Sequence, residues 1–104
     1  MKQTTEPITA VAFRMWDGEV VAIMPQIPGT NAHDCTCYAH VGQHGACDPV
    51  LAVQRSRPAT AAEYRGLARE LEHIGYRVRV IKRLNLRKYL DARRAEVRRI
   101  ESPA

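Results

Sequence analysis

Apolar residues recur at every second position in the first third of the chain. Within residues 8–16 the alternating apolar positions are Val11, Phe13 and Met15. A second apolar segment, residues 19–24, follows directly after Asp17-Gly18. A period of two is typical of a half-buried strand, and Asp-Gly favours the type I′ turn of a hairpin. The pattern therefore predicts two antiparallel strands joined at Asp17-Gly18.

The next thirty residues predict a loop, a strand and a short helix. Residues 25–34 contain two prolines, a glycine and an asparagine, which are typical of a loop. Residues 35–41 predict a third strand, ended by Gly42 and Gly45. Asp48 followed by Pro49 is typical of a helix start. We expect a helix over residues 49–55, with a strand as the alternative.

The second half begins with a stronger helix signal. Thr60 and Glu63 have the spacing of a capping box, and Gly75 suits the position just after a helix. Apolar residues lie between them at helical spacing: Tyr64, Leu67, Ala68, Leu71 and Ile74. Residues 76–83 alternate as a strand. Asn85 can then cap a last helix, residues 85–101, which carries an apolar stripe of Leu86, Leu90, Val97 and Ile100.

These elements predict one α+β domain spanning residues 1–104, with residues 1–7 flexible. We expect a mostly antiparallel sheet of three to four strands, with two to three helices packed on one face. The chain is 45% hydrophobic and 26% charged, which is ordinary for a globular protein. It has no apolar stretch long enough for a membrane span and no signal region, so we expect a cytoplasmic protein with free thiols.

Positive charge is concentrated in the second half of the chain. Residues 1–52 carry two basic and five acidic side chains, whereas residues 53–104 carry fourteen and six, giving net charges of −3 and +8. Such asymmetry favours nucleic acid or an acidic protein as partner. The candidate binding residues are Arg77, Arg79, Arg83, Arg87, Arg94 and Arg98. The alternative is a solvated face, in which Asp91, Glu96 and Glu101 pair with the arginines.

Residues 33–47 contain three histidines and all three cysteines, which are potential zinc ligands. The spacing argues against zinc, because Cys35 and Cys37 are separated by one residue instead of two to four. We therefore predict no metal and no cofactor. The weaker alternative is a metal held by His40, His44 and Cys47.

Two glycines bracket Gln43 and His44 and free the backbone there for unusual conformations. The loop over residues 40–46 presents His40, Gln43 and His44 as candidate ligand-binding residues. The alternative is a tight strand-to-helix connection whose histidine bonds to the backbone. Cys47 lies three residues after His44, but Asp48 opposes thiolate formation. No catalytic residue can be assigned, and a protein without enzymatic activity is favoured.

Five strings of residues resemble a family of short uncharacterised bacterial proteins associated with plasmids, phages and other mobile elements. They are residues 13–14, 22–28, 38–46, 57–64 and 71–76. The resemblance covers residues 8–83 and implies that the 40–46 loop is a family feature. It also implies that Cys37 and Cys47 are peculiar to this member. No activity is established for the family, so none is implied here.

The function predicted from these observations is a small binding protein without enzymatic activity. Its basic C-terminal half would contact nucleic acid or an acidic protein. The alternative is a metal-binding or enzymatic protein that uses the 40–47 loop. The partner and the oligomeric state stay open at this point.

Overall fold

The computed structural model describes residues 7–39 and 43–101. This part of the chain contains six strands and three helices. In chain order they are β1 (Ile8–Trp16), β2 (Glu19–Pro28), β3 (Cys35–Ala39), β4 (Gln43–Cys47), α1 (Pro49–Arg55), β5 (Arg57–Pro58), α2 (Ala61–His73), β6 (Arg77–Val80) and α3 (Leu86–Glu101).

The β1–β2 hairpin forms where the sequence predicts it. Asp17 and Gly18 have φ values of 52° and 80°, which are the positive angles that a type I′ turn requires. Trp16 pairs with Glu19 across the turn. The order of the remaining sheet is β4-β3-β2-β1, with β5 and β6 on the other edge of β1.

The α+β class is confirmed, but the sheet has six strands where three to four were predicted. β5 is a two-residue strand antiparallel to β1, and its Arg57-Pro58 carries no apolar alternation. β6 pairs with the first half of β1 in parallel, whereas the other strand pairs are antiparallel.

The predicted loop at residues 25–34 is partly wrong, because β2 continues to Pro28. The register with β3 shifts between Met24 and Pro28. Proline lacks the N–H that a ladder needs, and such a shift is where a strand tolerates it. The Thr36 hydroxyl donates to the Pro28 carbonyl at 2.9 Å, which holds this end of β2 against β3.

The predicted loop around Gln43 and His44 is also wrong, because these residues begin strand β4. Tyr38 pairs with His44, and Cys35 pairs with Cys47. Gly45 lies inside this strand and does not end the preceding one. His40, Val41 and Gly42 lie outside the described residues.

All three helices of the described residues begin as their caps predict. At the start of α3, the Asn85 side chain accepts from the Lys88 N–H at 3.0 Å. The Asp48 carboxylate accepts from the Val50 N–H at 2.8 Å, at the start of α1. Thr60 and Glu63 form the reciprocal capping box of α2, with distances of 2.9 and 3.2 Å. Gly75, with φ 117°, follows the end of α2 as predicted.

The helices pack on both faces of the sheet, not on one face as predicted. Leu67 and Leu71 of α2 pack against Val11 and Phe13 of β1. Ala52 of α1 instead packs in a separate cluster on the opposite face. The reason is that residues 10–13 of β1 are all buried, so this strand is apolar on both sides.

The α3 helix lies beside α1, and a cleft lined by residues of both helices separates them. Only the middle of the apolar stripe of α3 is covered: Leu90 and Val97 are half-buried, whereas Leu86 is 37% exposed and Ile100 is 66% exposed. The buried α3 residues are Tyr89 and Arg93. None of the helices in the described ranges is long and apolar enough to cross a membrane.

Candidate functional site

Arg77 and Arg79 leave the sheet on the face where α1 packs. Side chains alternate along a strand, so both arginines point the same way as Ile81. Ile81 packs in the cluster that contains Ala52 of α1. Arg77 and Arg79 are themselves exposed. The strand therefore delivers two of the predicted binding residues to one face.

The segment after β6 extends this basic character towards α1. Lys82 and Arg83 line a cleft of about 420 Å³ together with Val53 of α1 and Asn85. The wall of the cleft includes Arg14, whose guanidinium donates to the Ser56 hydroxyl and carbonyl, both at 2.8 Å. Arg83 is exposed to solvent, so its charge is accessible from outside the cleft.

Arg87, Arg94 and Arg98 form a stripe along α3. Successive residues of an α-helix are 100° apart, which places these three within about 40° of each other. All three are exposed. The buried residues Tyr89 and Arg93 lie on the opposite side of the helix. The stripe therefore points away from the sheet.

Arg93 fixes the orientation of α3. It is 2% exposed, and its guanidinium donates to the carbonyls of Ala32 and Pro25, both at 2.8 Å. Arg93 is not among the candidate binding residues, but the sequence analysis does not predict that its side chain is buried. Its one distinguishing signal is its place between Tyr89 and Val97 on the inward side of the helix.

Acidic neighbours pair with some of these arginines and leave others unpaired. Arg87 lies 3.5 Å from Asp91, and both side chains are well exposed. Arg99 forms an ion pair with Glu96, which raises the pKa of the guanidinium and lowers that of the carboxyl. Arg94 and Arg98 make no ion pair with any described residue. The predicted neutralisation of the helix by its acidic residues is therefore incomplete.

We use the name arginine face for the exposed residues Arg77, Arg79, Arg83, Arg87, Arg94 and Arg98. The sequence selected all six. They come from β6, from the following connection and from the outward side of α3.

The predicted ligand residue His44 lies on the other face of the sheet. Its ring contacts Tyr38 edge-on, with ring centroids 4.7 Å apart, and its Nε2 is 3.0 Å from the Tyr76 hydroxyl. The Tyr38 hydroxyl donates to the Glu70 carboxylate of α2. His44 is thus held by two aromatic side chains. Gln43 is exposed at the start of β4.

The weaker metal alternative requires His40, His44 and Cys47 to converge. Cys47 lies opposite Cys35 and packs in the cluster of the α1 face, whereas His44 contacts Tyr38 of the α2 face. The sheet therefore separates two members of the set, and His40 lies outside the described residues. Among the described residues, no group of three His, Cys, Asp or Glu side chains is arranged to hold a metal.

The cysteines instead form a thiol cluster. The Sγ atoms of Cys35 and Cys47 are 3.7 Å apart. The hydrogen bond between the two thiols lowers the pKa of Cys35 and contributes to raising that of Cys47 to about 12. A hydrogen bond to Cys47 and burial raise the pKa of Cys37. Since His44 lies across the sheet, it cannot act as the base for Cys47.

No family model, no curated protein and no solved structure matches this chain. The resemblance to mobile-element proteins therefore stays a prediction, and the function must be argued from the geometry alone.

Proposed function

We propose that this protein binds double-stranded nucleic acid through the arginine face. The observation that carries the proposal is the α3 stripe of Arg87, Arg94 and Arg98, which points away from the sheet while Arg93 fixes the helix from behind. Arginine suits phosphate because its planar guanidinium contacts two phosphate oxygens at once. The stripe presents such groups on a rigid element.

The spacing of the stripe suits a polyanion. At a rise of 1.5 Å per residue, Arg87 and Arg94 are about 10 Å apart along the axis, and Arg98 is about 6 Å further. A duplex carries one negative charge for about every 1.7 Å of its length. Several phosphates therefore lie within reach of the three guanidinium groups.

Charge pairing within α3 does not oppose this binding strongly. Asp91 pairs with Arg87 at 3.5 Å, but the two side chains are 59% and 84% exposed. Ion pairs of this exposure contribute little to stability, at most about 1 kcal/mol. Arg87 can exchange Asp91 for a phosphate, and Arg94 and Arg98 need no exchange.

The aromatic residues favour a duplex over a single strand. Proteins that bind single strands without sequence preference stack the bases on exposed aromatic rings. Here Tyr38 and Tyr89 are buried, Trp16 packs against the core and Tyr64 stacks on Phe13. The proposed contacts are therefore with the phosphate backbone.

Fluorescence anisotropy of a labelled DNA duplex, titrated with the full chain at low and moderate salt, tests the proposal. We expect binding that weakens steeply with salt, because each phosphate contact releases counterions. The variant Arg94→Glu/Arg98→Glu should bind at least about tenfold more weakly.

A matched control is Arg65→Glu/Arg69→Glu. It makes the same charge change at two exposed residues of α2, on the other face of the sheet. This control should retain most of the parent affinity. Equal losses of affinity in the two variants would show that the net charge, and not the position of the arginines, determines binding. No binding by the parent at low salt would overturn the proposal and leave an acidic protein as the expected partner.

A further inference from the structure

The three thiols of the chain lie on one side of the β3–β4 hairpin. Cys35 and Cys37 are two residues apart on β3, so they point the same way. Cys47 of β4 is the direct partner of Cys35, and Gly45 is the partner of Cys37. All three cysteines are free thiols. This cluster takes no part in the proposed nucleic-acid contacts.

The register of the hairpin distinguishes one cysteine pair from the others. Directly paired residues of antiparallel strands have Cα atoms about 4.5–5.5 Å apart, within the range of about 4.4–6.8 Å that a disulfide spans. Cys37 also hydrogen-bonds to Cys47, but it is diagonal to it on the hairpin. Diagonal residues have Cα atoms about 7–8 Å apart, which is too far for a disulfide without backbone movement. Cys35 and Cys47 already have their sulfur atoms in contact at 3.7 Å.

From this geometry we infer that Cys35 and Cys47 form a modification site, at which a reversible intramolecular disulfide is produced by exchange with a small-molecule disulfide such as oxidised glutathione. Cys37 is a bystander in this reaction.

Burial decides the order of the two steps. Cys35 is completely buried, whereas Cys47 is partly exposed at the sheet edge. The incoming disulfide therefore reaches Cys47 first. Only the small thiolate fraction of Cys47 reacts, because its pKa is raised to about 12, so we expect this step to be slow. The Cys47 proton passes to the solvent, the sulfur bonds to one sulfur of the reagent, and the reagent's S–S bond breaks to release one thiol.

The second step closes the bond. The Cys35 thiolate attacks the Cys47 sulfur of the mixed disulfide, the bond to the reagent breaks, and a second thiol leaves. Two protein thiols are oxidised and one reagent disulfide is reduced to two thiols. Burial disfavours the Cys35 thiolate that this step requires, and the positive charge of Arg93 offsets part of that cost.

The bond would change the behaviour of β4. Among the described strands, β4 pairs only with β3 and forms one edge of the sheet. A disulfide between residues 35 and 47 holds this edge strand on its neighbour when the backbone hydrogen bonds open. Amide hydrogen exchange in residues 43–47 should therefore slow on oxidation.

The test begins with the reduced full chain and oxidised glutathione. All three cysteines lie between Arg14 and Arg55, hence in one tryptic peptide. Free thiols are alkylated, the protein is reduced, and the released thiols are alkylated with a second label. Tandem mass spectrometry then assigns each label to a residue. We expect an intact mass about 2 Da below that of the reduced chain, and the second label on Cys35 and Cys47.

Two variants separate the steps. Cys37→Ser should form the disulfide as the parent does. Cys35→Ser should instead retain glutathione on Cys47, because the resolving thiol is gone. If Cys35→Ser does not fold, the label positions measured in the parent chain decide the test. A parent chain that stays a stable glutathione adduct, or one that places the second label on Cys37, would overturn the inference.

Discussion

Helices α2 and α3 are both amphipathic by sequence, yet they attach to the sheet in different ways. α2 buries the leucines that its spacing predicts, Leu67 and Leu71, against β1. α3 leaves Leu86 and Ile100 exposed and buries Tyr89 together with Arg93, whose guanidinium donates to two backbone carbonyls. α2 is therefore attached by apolar packing, whereas α3 combines apolar packing with a buried charge.

This difference has a functional consequence. The hydrophobic effect has no preferred direction, so by itself it sets the rotation of a helix less strictly than hydrogen bonds do. Guanidinium–carbonyl hydrogen bonds are directional, so Arg93 sets the rotation of α3 about its axis. That rotation determines that Arg87, Arg94 and Arg98 point to solvent.

The largest expected loss of stability comes from the apolar helix. Leu71→Ala removes a completely buried side chain from the α2 cluster and should lower the free energy of unfolding by about 3 kcal/mol. The control Ile74→Ala, at a residue that is 49% exposed, should cost less than about 1 kcal/mol. Urea unfolding measures both values. Equal costs would contradict the assignment of the α2 core face.

Arg93→Met should cost about 2 kcal/mol, because it leaves the Pro25 and Ala32 carbonyls without their charged donor. It should also raise amide exchange along α3. Arg94→Met, at the neighbouring exposed position, should change stability by less than about 0.5 kcal/mol. If Arg93→Met proved as stable as the parent chain, the attachment of α3 would not depend on the guanidinium.

The smallest effect concerns the helix caps. The side chain of Arg57 and the backbone N–H of Thr60 lower the pKa of Glu63 from 4.5 to about 2. A carboxyl with a lowered pKa stabilises the fold fully above its ordinary pKa, and this contribution is lost as the pH falls from about 4.5 through about 2. α3 is capped by the neutral amide of Asn85, which accepts from the Lys88 N–H at 3.0 Å.

Acid should therefore weaken the α2 cap and leave the α3 cap unchanged. The difference in stability between the parent and Glu63→Gln, measured by urea unfolding, should shrink between pH 6 and pH 2.5. The same comparison with Glu72→Gln, which removes a carboxylate without an ion pair in the described chain, gives the background. A difference that stayed constant with pH would contradict the assigned role of Glu63.

Sequence reasoning succeeded where one or two residues determine the local backbone. Asp17-Gly18, Asp48-Pro49 and the Thr60–Glu63 box act within a few residues, so their turns and helix starts could be predicted. The exposure of the six residues of the arginine face also follows the usual tendency of charged side chains to reach solvent, although Arg93 of the same helix is buried. Their role in binding stays a prediction.

The incorrect predictions concern features that depend on residues distant in the sequence. Whether residues 25–28 and 43–47 form strands depends on their pairing with β3, and no local pattern encodes that. The inward position of Arg93 depends on carbonyls 61 and 68 residues away in the sequence. The β3–β4 register separates His44 from Cys47 and brings Cys35 into contact with Cys47. This register could not be predicted while residues 43–47 were expected to form a loop.

The most direct test of the central claim is the salt dependence of duplex binding for Arg94→Gln/Arg98→Gln beside Arg65→Gln/Arg69→Gln. If Arg94 and Arg98 each contact a phosphate, the slope of log K against log salt should become shallower by about 1.8 in the α3 variant. The α2 variant should keep the parent slope. An α3 variant that kept both the parent slope and the parent affinity would contradict the claim that the outward face of α3 binds nucleic acid.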